Sequence, residues 1–176
     1  MNNLQTLWLD RNQLNEIPEK LFDGLFNLQE LWIAVNKLNF LPANLFHSLT
    51  SLQQLYLFDC NITDLPKNLF KNQNNLQQLE LSSNNLEYIP SNIFSGLNNL
   101  NFISIGSNQL KQLDEKVFNG LFSLTYLDLS YNQLTRLPEN IFSNIQNTAQ
   151  LSIYLYGNPL QNEITCGTNP LCAIYY

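Results

Sequence analysis

The sequence predicts an α/β solenoid. Each turn lays down one short strand parallel to the last and returns through an irregular or short-helical segment. Three observations predict it. Leu4, Leu28, Leu52, Leu76, Leu100 and Leu124 occupy every twenty-fourth position without exception. Within each interval the pairs Leu7 and Leu9, Leu31 and Ile33, Leu55 and Leu57 alternate with other residues, the period of a strand. Phenylalanine then recurs at the nineteenth position of all six units, as Phe22, Phe46, Phe70, Phe94, Phe118 and Phe142. Self-similarity at such a period marks a stack of units, none of which can bury its apolar face alone.

Each unit reads L-x-x-L-x-L-x-x-N-x-L-x-x-L-P-x-x-L-F-x-x-L-x-x, with Ile or Val standing for Leu. The strand opens the unit, and Leu7 and Leu9 point inward while Trp8 and Asp10 point outward. A step from Leu4 to Leu28 is too long to close on a hairpin. The chain must coil round and stack each strand parallel to the one before. Leu or Ile at the fourteenth and eighteenth positions, with Val117 in the fifth unit, then fills the interior from the return side, beside a spine of phenylalanine rings. Proline at the fifteenth position (Pro18, Pro42, Pro66, Pro90, Pro138) bends the return, and Asp114 stands in the one unit without it. After Leu124 the next frame opens at Gln150, two positions late, which places an insertion near Gln146–Gln150. Residues 1–160 thus read as six full units and a partial seventh, and 161–176 as a short C-terminal cap.

With its LPxxLFxxLxxL frame and phenylalanine spine, the stretch 4–160 resembles the leucine-rich repeat family. The resemblance is to the class found in Toll-like receptors and the variable lymphocyte receptors of jawless vertebrates. It implies a curved, right-handed horseshoe with a parallel sheet on the concave face and partner recognition there. Immune-receptor-like and adhesion ectodomains are the leading functional class it implies. Bacterial secreted effectors and surface proteins use similar repeats and form a second class.

Composition narrows the partners. The formal charge of −6 and a pI near 4.6 argue against nucleic acid or an anionic membrane surface. No apolar run approaches the ~20 residues of a membrane span, so no membrane insertion by this chain is expected. Location is expected to be extracellular or secreted, with the cytoplasm as the alternative. The pair Cys166 and Cys172 bears on this. A disulfide between them would fasten the C-terminal edge in an oxidising compartment, and free thiols would suit a reducing one.

The ninth position carries Asn12, Asn36, Asn84, Asn108 and Asn132, with Asn158 in the partial unit and Cys60 as the one substitute. Where each strand ends, the backbone turns inward and leaves amides and carbonyls that water cannot reach. A column of carboxamides can serve them as a ladder. Cys60 is read as a buried, inert member of it, since Asp59 and Asp64 provide the opposite of an activating basic setting. Beside it, Asn61-Ile62-Thr63 is a glycosylation sequon.

The outward positions of the strands line up as columns. Trp8, Trp32 and Tyr56 should form a contiguous aromatic ladder flanked by Phe58 and Val35, rimmed by Asp10, Arg11, Glu30 and Asp59. Half exposure of four such rings gives roughly 400 Å², the size of patch that is often functional. A second group, with Phe102, Tyr126 and Tyr154 as its binding candidates, lies toward the C-terminal end with Tyr131 and Tyr156. Small polar residues between the two leave room for a protruding partner loop. Together these residues predict a ligand-binding concave face for a protein or glycan, or for a second copy of the chain in a self-assembling protein.

No catalytic constellation accompanies them. The single histidine, His47, falls on the return and reads as solvated. No triad, metal-ligand cluster or phosphate-cradling glycine loop is discernible, so no catalytic residue, metal or cofactor is expected.

Overall fold

The computed structural model describes residues 3–143, 145, 150–162, 164–166 and 171–176. Eight strands form one parallel sheet in chain order: β1 (Thr6–Trp8), β2 (Glu30–Trp32), β3 (Gln54–Tyr56), β4 (Gln78–Glu80), β5 (Phe102–Ser104), β6 (Tyr126–Asp128), β7 (Leu151–Tyr154) and β8 (Cys172–Tyr175). Leu7, Leu31, Leu55, Leu79, Ile103, Leu127 and Ile153 stand opposite one another in a single inward column. From β1 to β6 the register keeps the step of the sequence repeat, so that Thr6 faces Glu30 and Phe102 faces Tyr126. Tyr126 then faces Ser152, two positions beyond that step, which is the predicted insertion. Of its expected position, near Gln146–Gln150, only Gln150 is among the described residues.

The chain's last segment does more than cover an end. Cys172–Tyr175 pairs with β7 as a further parallel strand, with Cys172 opposite Leu151. Cys166 and Cys172 are disulfide-bonded, with their Cα atoms 6.1 Å apart.

Of the two predicted forms of return, the irregular one is found among the described residues. Each return starts where a proline carbonyl accepts the amide three residues on, as in Pro18 to Leu21 (2.9 Å) and Pro66 to Leu69 (2.9 Å). Further such turns follow at Phe22 and Leu25, but no four-residue ladder connects them into a helix. Asp114 substitutes for proline by accepting the Lys116 amide on its carboxylate at 2.9 Å. The turn then survives, with Val117 N reaching Asp114 O.

The six spine phenylalanines are at most 1% exposed. Neighbouring rings stack at 6.0–6.3 Å wherever the contact is direct, as between Phe22 and Phe46 or Phe118 and Phe142. Paired strands lie closer, at ~4.8 Å. A stack wider on its return side than on its sheet side must bend, with the sheet on the inner, concave face.

At the end of each strand the carboxamides form the predicted ladder. Asn108 is typical. Its Nδ2 donates to Leu81 O in the previous turn (3.1 Å) and to Ile105 O and Gly106 O in its own (3.1 and 3.2 Å), while its Oδ1 accepts Leu86 N at 3.0 Å. Asn36, Asn84, Asn132 and Asn158 repeat the pattern. Among the described residues, Asn12, in the first turn, serves only Leu9 O and Asp10 O beside it.

Cys60 is fully buried and donates its thiol to Ile33 O at 3.4 Å, so it fills the donor half of the slot. It has no side-chain oxygen for the amide of Leu38. The backbone supplies one instead: Leu38 N and Asn39 N reach the Cys60 carbonyl at 3.0 and 3.4 Å. After Asn36, Asn84, Asn108 and Asn132 the next residue donates its amide to the turn before, as Lys37 does to Leu14 and Gln109 to Leu86. Here the 60–61 peptide is turned over, and Leu38 O accepts from Phe40 N through a γ-turn centred on Asn39. Asn39 and Asn61 accordingly take left-handed conformations, at φ 56° and 60°.

Two outcomes follow for the ladder. Asn108→Ala leaves the buried Leu86 amide without an acceptor, while Leu81 O, Ile105 O and Gly106 O keep donors in Asn84, Asn132 and Ser83 N. An unsatisfied buried group costs about 1–3 kcal/mol, so urea unfolding should show a loss of about 2 kcal/mol. Cys60→Asn restores the missing oxygen and should raise stability by about 1 kcal/mol, with both left-handed residues relaxing in its crystal structure. Burial pushes the Cys60 thiol up from 9.0 to about 11, with Asp59 adding to the rise. The stability this thiol confers is full below pH 9 and is lost as pH rises through about 11. Alkaline destabilisation should therefore be shallower in Cys60→Asn.

Candidate functional site

The concave face is built by the outward residues of β1 to β8. Trp8, Trp32, Tyr56, Glu80, Ser104, Asp128, Tyr154 and Tyr175 stand in one continuous column. Thr6, Glu30, Gln54, Gln78, Phe102, Tyr126 and Ser152 form the column beside it.

At the N-terminal end the aromatic ladder is in place. Trp32 stacks on Tyr56 with centroids 3.7 Å apart and planes 17° from parallel. Trp8 meets Trp32 edge-on at 6.5 Å, and Phe58 meets it at 6.5 Å and 84°. Polar neighbours hold the rings. The Trp32 indole donates to Glu30 Oε1 at 2.6 Å, and the Tyr56 hydroxyl lies 3.0 Å from the side-chain oxygens of both Gln54 and Gln78. Trp8 is 69% exposed, so the ladder runs from a supported interior ring to an open one. Arg11 pairs with Asp10 at 3.7 Å on the rim, and Asp59 is exposed beyond Phe58.

A common backbone feature sets this rim. Arg11, Val35, Asp59, Ser83, Ser107 and Tyr131, all at the eighth position of their units, are left-handed at φ 53–56°, and Gly157 continues the series at 67°. For Val35 this is an uncommon conformation, because its branched Cβ crowds the carbonyl.

The C-terminal aromatics also meet. Phe102 stacks on Tyr126 at 4.5 Å, and Tyr126 lies 4.9 Å from Tyr154. Tyr154 continues to Tyr156 at 6.1 Å and to Tyr175 at 4.8 Å. Sequence reasoning missed Tyr175, which joins the column only because the last segment becomes a strand. The alternation of Cys172 and Ile174 with Ala173 and Tyr175 within "LCAIYY" was the available signal. Between the two aromatic groups the floor is Ser104, Gly106 and Asp128, and a Cβ on Gly106 would come within 2.9 Å of Asp128 Oδ2.

Electrostatics link the two groups. The Tyr56 hydroxyl is raised above 10.0 by burial and then by Glu30 and Glu80. Tyr126 is raised by burial and then by Asp128, Tyr154 and Glu80. The field of Glu80 thus reaches both.

Away from this face, His47 is exposed on a return. Its Nδ1 lies 2.9 Å from Asn44 O and 3.7 Å from Asp23, and its Nε2 lies 3.1 Å from Ser48 Oγ. Carboxylate, imidazole and hydroxyl stand in a row, but Ser48 is only 5% exposed and the hydroxyl does not open to a substrate. Among the described residues no group of three or more His, Cys, Asp and Glu could hold a metal ion, and no helix is long and apolar enough to cross a membrane. Asn61 is exposed just past β3.

Family comparison agrees with this architecture. A BspA type leucine rich repeat region, in six copies, matches residues 63–164, more than half of the chain, and a second leucine rich repeat description matches 2–62. The chain belongs to the leucine-rich repeat family. No curated protein matches it. Among solved structures, the leucine-rich repeat domain of APL1B is similar at TM-score 0.71 and 26% identity, over 93% of this chain and 49% of that one. A chain of the Toll–Spatzle complex, described as a molecular hub in Drosophila development and innate immunity, matches at 0.72 and 26%, over 84% of this chain and 20% of that one. A leucine-rich repeat protein of Leptospira interrogans matches at 0.63 and 26%, over 91% and 45%. The chain thus spans about half or less of the length of these relatives. The family and its fold are typically non-catalytic recognition modules.

Glu80→Gln should lower the titration midpoints of both Tyr56 and Tyr126, followed through ring-labelled tyrosine signals in NMR. A drop at one ring alone would contradict a carboxylate shared between the two groups.

Proposed function

We propose that this chain is a non-catalytic recognition module that binds a protein partner on its concave face. The supporting observation is the Trp8–Trp32–Tyr56–Phe58 cluster on the sheet, with Trp8 exposed and the other three rings half-buried, bordered by Asp10, Arg11, Glu30 and Asp59. Large rings held by hydrogen bonds lose little entropy on binding, and a charged rim around them is the make-up of an interface hot spot. Likeness to a chain of the Toll–Spatzle complex favours a protein ligand over a glycan and an immune-receptor-like role. Likeness to the Leptospira protein and to BspA type repeats keeps a bacterial effector or adhesin as the companion reading. Either fits an extracellular or secreted setting, in which the Cys166–Cys172 disulfide persists and exposed Asn61 is open to glycosylation.

A second reading, self-association, is favoured by the N-terminal end of the stack. There Leu4, Leu7, Leu9, Leu21, Phe22 and Leu25 line an open recess of about 500 Å³. Leu21 is 49% exposed. An apolar recess of this kind suits contact with another chain.

Trp32→Ala should weaken partner capture by about tenfold or more while the chain stays folded, though less stable for the lost ring contacts. Loss of the fold would show instead that Trp32 is structural. Light scattering over a concentration series separates the readings. A dimer that Trp32→Ser with Tyr56→Ser converts to a folded monomer makes the aromatic face a self-contact. A dimer that survives this pair and is lost in Leu21→Lys assigns the contact to the N-terminal end. Monomers throughout leave the concave face free for an outside partner.

A further inference from the structure

The C-terminal half of the concave face holds a recess of about 480 Å³, floored by β4, β5 and β6. Two carboxylates enter it. Glu80 and Asp128 lie in the same column, separated by Ser104. Each is anchored on one oxygen, since Glu80 Oε1 accepts Ser82 N at 3.0 Å and Asp128 Oδ1 accepts Ser130 N at 2.8 Å. The second oxygen of each is left for an outside donor. Neither carboxylate is ion-paired among the described residues, and no Lys or Arg lines the recess.

Two further observations point to a ligand. Ser104 and Ser130 line the recess at 5% exposure, and neither hydroxyl has a hydrogen-bond partner among the described residues. The walls are aromatic: Phe102 and Tyr126 stack on one side, and Tyr154, Tyr156 and Tyr131 stand around the other. Two unneutralised carboxylates, buried acceptor hydroxyls and π faces together suit a cation with several N–H donors. A neutral sugar would stack on the same rings but would leave both charges uncompensated. The Tyr126 hydroxyl is raised first by burial and then by Asp128, Tyr154 and Glu80, so it lies within the same negative field.

We infer that this recess is a cation pocket that takes an arginine or lysine side chain from a protruding loop of a protein partner. The inference rests on the concave-face reading for the nature of the partner, while the pocket itself can be tested with a small molecule.

The test is an NMR titration of the folded chain with Nα-acetyl-arginine amide, following the ring signals of Tyr126 and Tyr154. The neutral citrulline counterpart and a neutral trisaccharide serve as comparisons. Saturable shifts with the arginine compound, at least about tenfold weaker with citrulline and in Asp128→Asn, are expected. Asp128→Asn keeps an oxygen for Ser130 N, so its fold is retained, and an unchanged amide spectrum verifies this. Equal responses to arginine and citrulline, indifference to Asp128→Asn, or silent rings would overturn the pocket. Saturation by the trisaccharide in place of arginine would overturn it in favour of a glycan site. Partner capture that needs Trp32 but ignores Asp128→Asn would remove the pocket and leave the concave-face reading standing. An arginine response beside capture that ignores Trp32 would do the reverse.

Discussion

The structure depends on one requirement: the backbone groups left where each strand bends into the core must find partners away from water. A carboxamide is suited to this because it donates twice and accepts as well. Asn84, for instance, ties Leu57 O in the turn before to Leu81 O in its own and accepts both Cys60 N and Ile62 N. Each such side chain spans two turns, so it fixes their spacing and their register together. The inward leucine column, the phenylalanine spine and the outward columns all follow from that fixed step. Cys60 shows how strict the requirement is. Where the oxygen is missing, the backbone reorganises and two residues take left-handed conformations, but the amide of Leu38 is still bonded.

The same geometry shapes the face that recognises. Rings on the return side are held a little over 6 Å apart, whereas on the sheet side Trp32 and Tyr56 close to 3.7 Å and Phe102 and Tyr126 to 4.5 Å. Curvature therefore brings concave side chains together into continuous surfaces and spreads the convex ones. The left-handed residue at the end of each strand then carries Arg11, Val35, Asp59 and Tyr131 to the rim. Two aromatic groups with an acidic, small-residue floor between them result from one repeated backbone.

Much of this was legible because a repeat states each rule several times. The constant step, the inward pairs, the spine and the outward columns needed only spacing, and the delay before β7 was visible as a shifted frame. What resisted reading depended on a single occurrence. β8 carries no leucine frame, so its pairing and the place of Tyr175 come from tertiary contact with β7. The inverted peptide after Cys60 arises from an absent atom, which no pattern displays. Gln73 is similar. It stands where other units have Leu or Ile, fully buried, with its Nε2 on Phe46 O and its Oε1 without a partner. The pocket between Glu80 and Asp128 required knowing that each carboxylate is half occupied by a neighbouring amide.

The constant register has a consequence for how such a gene can change. Because Leu55, Leu79, Ile103 and Leu127 present the same inward surface to their neighbours, excising one whole unit between β3 and β6 would leave the flanking turns able to meet. Unequal crossing-over at any pair of these similar stretches therefore yields a shorter or longer chain that still closes its hydrogen bonds. Each such event would also shift the distance between the two aromatic groups by one strand width. Copy number thus becomes a heritable ruler, by which selection could refit the face to a differently sized partner without altering a single codon in the units that remain.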